Sequence, residues 1–167
     1  YPGTGLAITE YNYGAAGHIS GGVAQADVLG IFGREGLFAA MWWQLSTGRE
    51  FVDGAFEMFR DFDGAGSRFG DTSISATTSD VARVSVYASV DAATSGRMVV
   101  VAINRSSQAL SAGIRIAHTR QFSSARVFRL TAASPSPAAD GTVTLSLTNA
   151  LTVMLPARSV TTLELVP

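Results

Sequence analysis

The sequence contains five glutamates: Glu10, Glu35, Glu50, Glu57 and Glu164. Glu10 stands apart. It closes an apolar run, Leu6-Ala7-Ile8, and Tyr11-Asn12-Tyr13 follow it at once. A short apolar run between turn signals, here Pro2-Gly3 and Gly14, reads as a buried parallel strand. Side chains alternate along a strand, so Leu6, Ile8 and Glu10 are expected on one face. Such a face lining a barrel would bring Glu10 to the carboxyl end of its strand, where barrel enzymes keep their chemistry. Taken alone, a Glu at a strand end is more often a solvated residue or half of an ion pair.

The elements around Glu10 can be read from apolar periodicity. Gly14 to Gly22 is a loop of small residues, with Ser20 expected as the cap of a helix. Ala24, Val28, Ile31 and Phe32 recur at helical spacing and predict its apolar stripe. Asp27 on that helix is expected to be solvated. Gly36 fits the position just past the helix end, and Arg34 lies near the negative end of the dipole. Leu37 to Trp43 predicts the next strand. Strand, helix and strand over about 40 residues form a βαβ unit with a right-handed crossover. The polar loop from Ser46 to Asp53 lies at the same rim as Glu10. Asp53 is expected to cap a short helix carrying Phe56, Phe59 and Phe62. Asp61-Phe62-Asp63-Gly64-Ala65-Gly66 lacks the spaced ligands of a calcium loop and is expected to be a helix-ending turn.

From Ser67 onward the pattern becomes all-β. Strands are expected around Val84–Ser89, Met98–Ile103, Ala112–Ile116, Ala125–Leu130, Thr142–Leu147, Leu151–Leu155 and Val160–Val166. Turn-rich stretches separate them, among them Ala92 to Gly96. Short strands at such intervals indicate a β-sandwich. Thr131 to Asp140, with Pro135 and Pro137, is expected to be a loop. His118 falls in this part and is expected to be structural.

Composition bounds the classes. Of the 167 residues 47% are hydrophobic and only 15% charged, which fits a globular protein rather than a disordered one. There is no Cys, so no disulfide framework or thiolate metal site exists. No apolar run approaches the roughly 20 residues of a membrane helix, and no membrane partner is expected. Residues 1–80 hold 10 acids against 4 Arg, while residues 81–167 hold 3 acids against 8 Arg. Those Arg residues are spread through alternating strands. A surface that tracks phosphates needs concentrated cations, so nucleic acid is not expected as a partner. The split instead predicts attraction between the two parts across their junction. The chain opens on Tyr1 rather than Met and carries no signal peptide, which suggests a piece of a longer protein.

Three blocks carry a resemblance: Ile8-Thr9-Glu10-Tyr11-Asn12-Tyr13-Gly14, His18-Ile19-Ser20-Gly21-Gly22, and Ala24 to Gly36. They resemble glycoside hydrolase family 44, retaining endo-β-1,4-glucanases and xyloglucanases of secreted bacterial cellulose-degrading systems. The likeness continues through Met58-Phe59-Arg60, Phe69-Gly70-Asp71-Thr72-Ser73 and Ser85 to Ser89, and thins after about Gly113. It implies an α/β plus all-β fold, in which residues 1–66 are the last two βα units of a TIM-type (β/α)8 barrel and residues 67–167 an antiparallel β-sandwich. It implies that Glu10 is the nucleophile on the seventh barrel strand. No cofactor or metal is implied.

The resemblance also assigns a surface for sugar. Trp43 aligns with a Trp at the end of the family's eighth strand. Aromatic rings stack on the apolar C–H faces of a pyranose, though Trp also packs readily in cores. Trp42, on the opposite face, is expected to pack against helices. Tyr11, Asn12, Tyr13 and His18 could line the glucan cleft, His18 equally as a plain loop residue.

A retaining glycosidase needs a second carboxyl about 5–5.5 Å from the first. The family's acid/base Glu follows an Asn, and no Asn-Glu pair occurs here. An eight-stranded barrel takes about 200 residues or more. The chain is therefore expected to carry the nucleophile without the acid/base, to be inactive alone, and to associate with the rest of the barrel or with itself. The alternative is a non-catalytic sandwich module that packs on a barrel or binds glucan.

Overall fold

Strand β1 (Ala7–Tyr11), helix α1 (Ile19–Arg34), strand β2 (Ala39–Trp42) and helix α2 (Glu50–Arg60) follow one another, and β1 and β2 pair in parallel. The computed structural model describes residues 2–43, 47–92 and 96–167. Tyr1, the start of the loop at Ser46 and the centre of the turn at Ala92 to Gly96 lie outside them.

Helix α1 begins one residue before the expected cap. His18 is the N-cap, and its Nδ1 accepts from the Ser20 amide at 3.2 Å and pairs with Ser20 Oγ at 2.8 Å. Ser20 thus assists the cap from within the first turn. The helix end is as expected: Gly36 N–H bonds to Gly33 O and Leu37 N–H to Phe32 O, the paired bonds of a Schellman ending. The buried residues of α1 are not the expected stripe. Ala24, Val28, Ile31 and Phe32 are half-buried, while Ile19, Gly21, Gly22, Val23, Gln25, Ala26 and Gly30 are buried. Small residues fill the interior because the preceding loop, α2 and a second sheet come close to this one helix: a Cβ at Gly21, Gly22 or Gly30 would meet Ala15, Phe51 or Tyr87.

Helix α2 also starts early, with Arg49 as its N-cap. Asp53 therefore lies inside the first turn, where with Glu50 it complements the helix dipole, and it pairs with Arg49 at 3.1 Å. Asp61 to Gly66 is the expected turn: Asp63 Oδ1 accepts from the amides of Ala65 and Ser67, and Asp61 Oδ1 from that of Gly66.

Eight strands follow: β3 (Thr72–Ile74), β4 (Val84–Val90), β5 (Met98–Asn104), β6 (Leu110–Arg115), β7 (Ser124–Thr131), β8 (Ser134–Thr144), β9 (Ala150–Leu155) and β10 (Ser159–Val166). Six form one sheet in the order β3-β4-β5-β10-β7-β8, and β6 pairs with β9 in another. All these pairs are antiparallel. Strand β5 is buried on both faces. Val99, Val101 and Ile103 join Ile19, Ala26, Met58 and Phe59 of the helices in one core. Met98, Val100 and Ala102 join Leu151, Val153 and Leu155 of β9 in another. The first core is shared by helices and sheet, so residues 1–66 and the following strands are packed as neighbours without a gap.

The expected loop from Thr131 to Asp140 is largely strand β8. Proline cannot donate to a ladder, so it is confined to sheet edges and bulges. Strand β8 is an edge strand, and its register with β7 shifts between Arg129 and Thr131, beside the two prolines.

Two helix glycines permit this packing. A Cβ at Gly30 would fall 2.3 Å from the Tyr87 ring, and one at Gly54 would fall 1.9 Å from the Pro135 carbonyl oxygen. Either helix would have to lift from the sheet to admit a larger residue.

Candidate active site

Glu10 lies next to the end of β1, and the ladder there is irregular. Ile8 pairs with Ala40 and Tyr11 with Trp42, so Thr9 and Glu10 together stand opposite Met41 alone. This extra residue is a β-bulge, a feature that re-aims side chains and recurs near active sites. It overturns the simple alternation. Ala40 and Trp42 are two residues apart and share a face, which places Ile8 and Tyr11 together on the helix side. Their half-burial agrees, as does the exposure of Ala7, Thr9, Glu10 and Met41. Glu10 therefore shares its face with Thr9 rather than with Ile8.

The ends of β1 and β2 are tied into one rim. Trp43 N–H donates to Tyr11 O at 2.9 Å, and Asn12 Nδ2 donates to Trp43 O at 2.8 Å. Asn12 Oδ1 in turn accepts from Gly14 N–H at 2.7 Å. Asn12 thus clamps the rim. The Trp43 side chain is 57% exposed and that of Tyr13 51%, and Glu10 is exposed at the same ends of β1 and β2. Trp42 is half-buried on the helix side, as its alternation with Trp43 requires. Glu50, at the start of α2, borders the same rim: a Cβ on Gly17 would stand 3.5 Å from its Oε2, and Phe51 N–H bonds to Ala16 O.

Tyr11 turns away from that surface. Its hydroxyl accepts a 2.8 Å hydrogen bond from Nε2 of Gln25 on α1, and its ring meets Phe32 edge-on with centroids 5.4 Å apart. Burial pushes its phenol pKa up, and the bond from Gln25 opposes that rise. Tyr13, tilted against Tyr11 at 5.6 Å, has a pKa raised by burial and by Tyr11. His18 is exposed and occupied as the helix cap. Gln25 escaped the sequence reading. Its only signal there was a polar side chain among small residues that belong to a buried face.

Asp27 is not simply solvated. It accepts from the Tyr87 hydroxyl at 2.6 Å and from Arg105 at 3.1 Å, which joins α1 to β4 and to the residue after β5. Asp63 approaches Arg126 at 3.6 Å. Both ion pairs link an acid of the first part to an Arg of the second, the attraction expected from the charge split. His118 meets buried Phe122 at a tilt, with centroids 5.4 Å apart, and accepts from Arg120 N–H. Among the described residues no group of three or more His, Cys, Asp or Glu is placed to hold a metal ion. No helix there is long and apolar enough to cross a membrane.

No family model matches the chain. A xyloglucanase of glycoside hydrolase family 44 from Paenibacillus polymyxa superposes with a TM-score of 0.95 at 36% identity, over 99% of this chain and 33% of that one. The chain is a segment of glycoside hydrolase family 44. A structure of that same xyloglucanase includes xyloglucan. Two curated relatives point the same way. They are a beta-mannanase/endoglucanase A from Caldicellulosiruptor saccharolyticus, 39% identical over 93% of this chain, and an endoglucanase A from Paenibacillus lautus, 36% identical over 95%. The chain spans 12% and 23% of those two proteins and about a third of the solved family 44 chains. Its relatives are glycoside hydrolases of the endoglucanase type, and it matches only part of each.

Proposed function

We propose that this chain supplies the nucleophile of a retaining β-1,4-glucan hydrolase whose remaining barrel strands and acid/base carboxyl lie outside these 167 residues. Residues 1–66 then form the last two βα units of a TIM-type barrel, and residues 67–167 its β-sandwich. The observation that carries the proposal is the bulge that leaves the Glu10 carboxylate exposed at the end of β1, beside the open faces of Trp43 and Tyr13.

In the reaction a Glu10 oxygen bonds to the anomeric carbon as the glycosidic C–O bond breaks. The leaving oxygen takes its proton from the acid/base carboxyl. Water then attacks the anomeric carbon of the ester and gives a proton back to that group, which frees Glu10. Trp43 and Tyr13 offer stacking and hydroxyl contacts to the sugar rings. Tyr11 and His18 support the rim from behind and below. A polymeric glucan does not cross a membrane, so the enzyme that meets it is a secreted one.

Alone, the chain exposes Leu6, Phe38, Met41 and Trp43 along the two-stranded parallel sheet. Such a surface calls for the rest of the barrel or a second copy. A separate glucan-binding module fits less well: Tyr87, Phe122 and Phe128 are the aromatics beyond Phe69, and all three are buried.

The test is covalent trapping. The complete enzyme is incubated with an activated 2-deoxy-2-fluoro-β-cellooligosaccharide, which forms the glycosyl ester and loses it slowly. The label is expected on Glu10, and the Glu10→Gln variant should take none. A label on another carboxylate would overturn the assignment.

A further inference from the structure

Gln25 is fully buried on α1, and within the described residues its only side-chain partner is the Tyr11 hydroxyl, at 2.8 Å. Its Oε1 has no partner among the described residues. Turning the amide over would keep a bond to Tyr11 and leave the nitrogen unpartnered instead, so one polar atom goes unmet either way. A buried unmet polar atom is destabilising, and an apolar side chain of the same length would avoid it. Packing alone gives no reason for a glutamine here beyond its bond to the Tyr11 hydroxyl.

The place of its bond gives one. The bulge leaves Thr9 and Glu10 opposite a single residue, so the ladder does not fix the backbone that bears the Glu10 carboxylate. The next residue, Tyr11, is the first point beyond the bulge that is held firmly. It is held by Trp43 N–H at its carbonyl, by Phe32 at its ring and by Gln25 at its hydroxyl. The first hold is part of the sheet and the second is apolar contact. Only the third fixes how far the side chain reaches along α1.

We propose that Gln25 is a positioning residue: through Tyr11 it sets the direction in which the bulge presents Glu10 to the anomeric carbon. The inference rests on Glu10 being the nucleophile. Gln25 touches no substrate. It acts at one residue's remove, and misplacing a reacting group by about 1 Å costs on the order of a hundredfold in rate.

The test uses the complete enzyme and three variants: Gln25→Met, which keeps length and apolar volume, Tyr11→Phe, which keeps the ring, and the double variant. Steady-state hydrolysis of a soluble β-1,4-glucan and the rate of labelling by the 2-fluoro sugar are measured for each. Each single variant is expected to lose roughly tenfold to a hundredfold in kcat, with KM changed less than about twofold. The labelling rate should fall by the same factor. The double variant should be no slower than the slower single one, because both remove one bond. An unchanged kcat and labelling rate with only a lower melting temperature would reduce the bond to a packing feature and overturn the proposal, as would multiplying losses in the double variant. Should Gln25→Met fail to fold, Tyr11→Phe alone carries the test. The position of the label in the unaltered enzyme separates the two layers: a label away from Glu10 overturns the nucleophile assignment itself.

Discussion

The Tyr87 hydroxyl donates to Asp27 Oδ1 at 2.6 Å across 60 residues of sequence. It binds a strand of the six-stranded sheet to the helix that backs Glu10. Burial, the bond to Asp27 and its negative charge all push the Tyr87 pKa above the usual tyrosine range. A phenol with a raised folded-state pKa contributes stability below its unfolded value and loses it as pH rises beyond about 10. Tyr87→Phe should cost about 1.5–3 kcal/mol at neutral pH, because the acceptor is charged. It should also flatten the alkaline loss of stability, part of which Tyr11 and Tyr13 would still supply. Urea unfolding at neutral and alkaline pH measures both effects.

Gly30 and Gly33 share a helix but predict opposite outcomes. Alanine favours a helix over glycine by about 1 kcal/mol. At Gly33 nothing lies within 4 Å of the new methyl, so Gly33→Ala should stabilise by about that amount. At Gly30 the methyl would meet the Tyr87 ring at 2.3 Å. Gly30→Ala should destabilise by about 1–3 kcal/mol despite the better propensity. Denaturant midpoints of the two variants decide it, and equal shifts would mean that α1 does not rest on Tyr87.

A buried acid joins the strands beyond α2. Glu164 is 4% exposed and accepts from Arg97 at 2.6 Å and from Arg126. Glu164→Leu removes the acid that two guanidiniums share, of which Arg126 is half-exposed and still near Asp63 while Arg97 is mostly buried. Arg97 keeps Asp91 at 2.8 Å, so a loss near the lower end of the range, about 3 kcal/mol, is expected. Thermal unfolding of this variant beside Glu164→Gln would separate charge from shape.

Acid should loosen the turn after α2 late. Burial alone would raise the Asp63 pKa. The side chain and amide of Ser67, the Ala65 amide and Arg126 outweigh it and bring the value down to about 2. A carboxylate depressed on folding contributes stability above its unfolded value, near 3.9, and that contribution disappears as pH falls through about 2. Ser67→Ala should move this loss to higher pH, as seen by acid titration of unfolding.

The exposed apolar side chains flanking the parallel pair predict association. Phe38 is 80% exposed and Leu6 74%. The chain alone, at 17.4 kDa, should sediment as something larger than a monomer, and Phe38→Asp should shift it toward the monomer. A clean monomer for the unaltered chain would mean that these side chains need no cover.

Much was legible along the sequence because it depends on neighbours in the chain. The apolar runs of β1 and β2, the Gly36 ending of α1, the Asp61 to Gly66 turn and most of the later strands follow from local periodicity and turn chemistry. Glu10, Trp43 and Tyr13 were also singled out there, and all three are exposed near the ends of β1 and β2. What escaped depends on partners far away in sequence. Pro135 and Pro137 read as a loop until β8 proves to be a sheet edge, where a missing N–H does no harm. Asp27 reads as solvated until Tyr87 and Arg105 arrive from the opposite layer. Alternation put Glu10 with Ile8, but one extra residue against β2 turned Ile8 toward the helices and left Glu10 in the open. A bulge is a relation between two strands, and neither strand's sequence contains it. Residue types and local pattern determined which side chains could act. The pairing of β1 with β2 and the packing of α1 behind them decided where those side chains point.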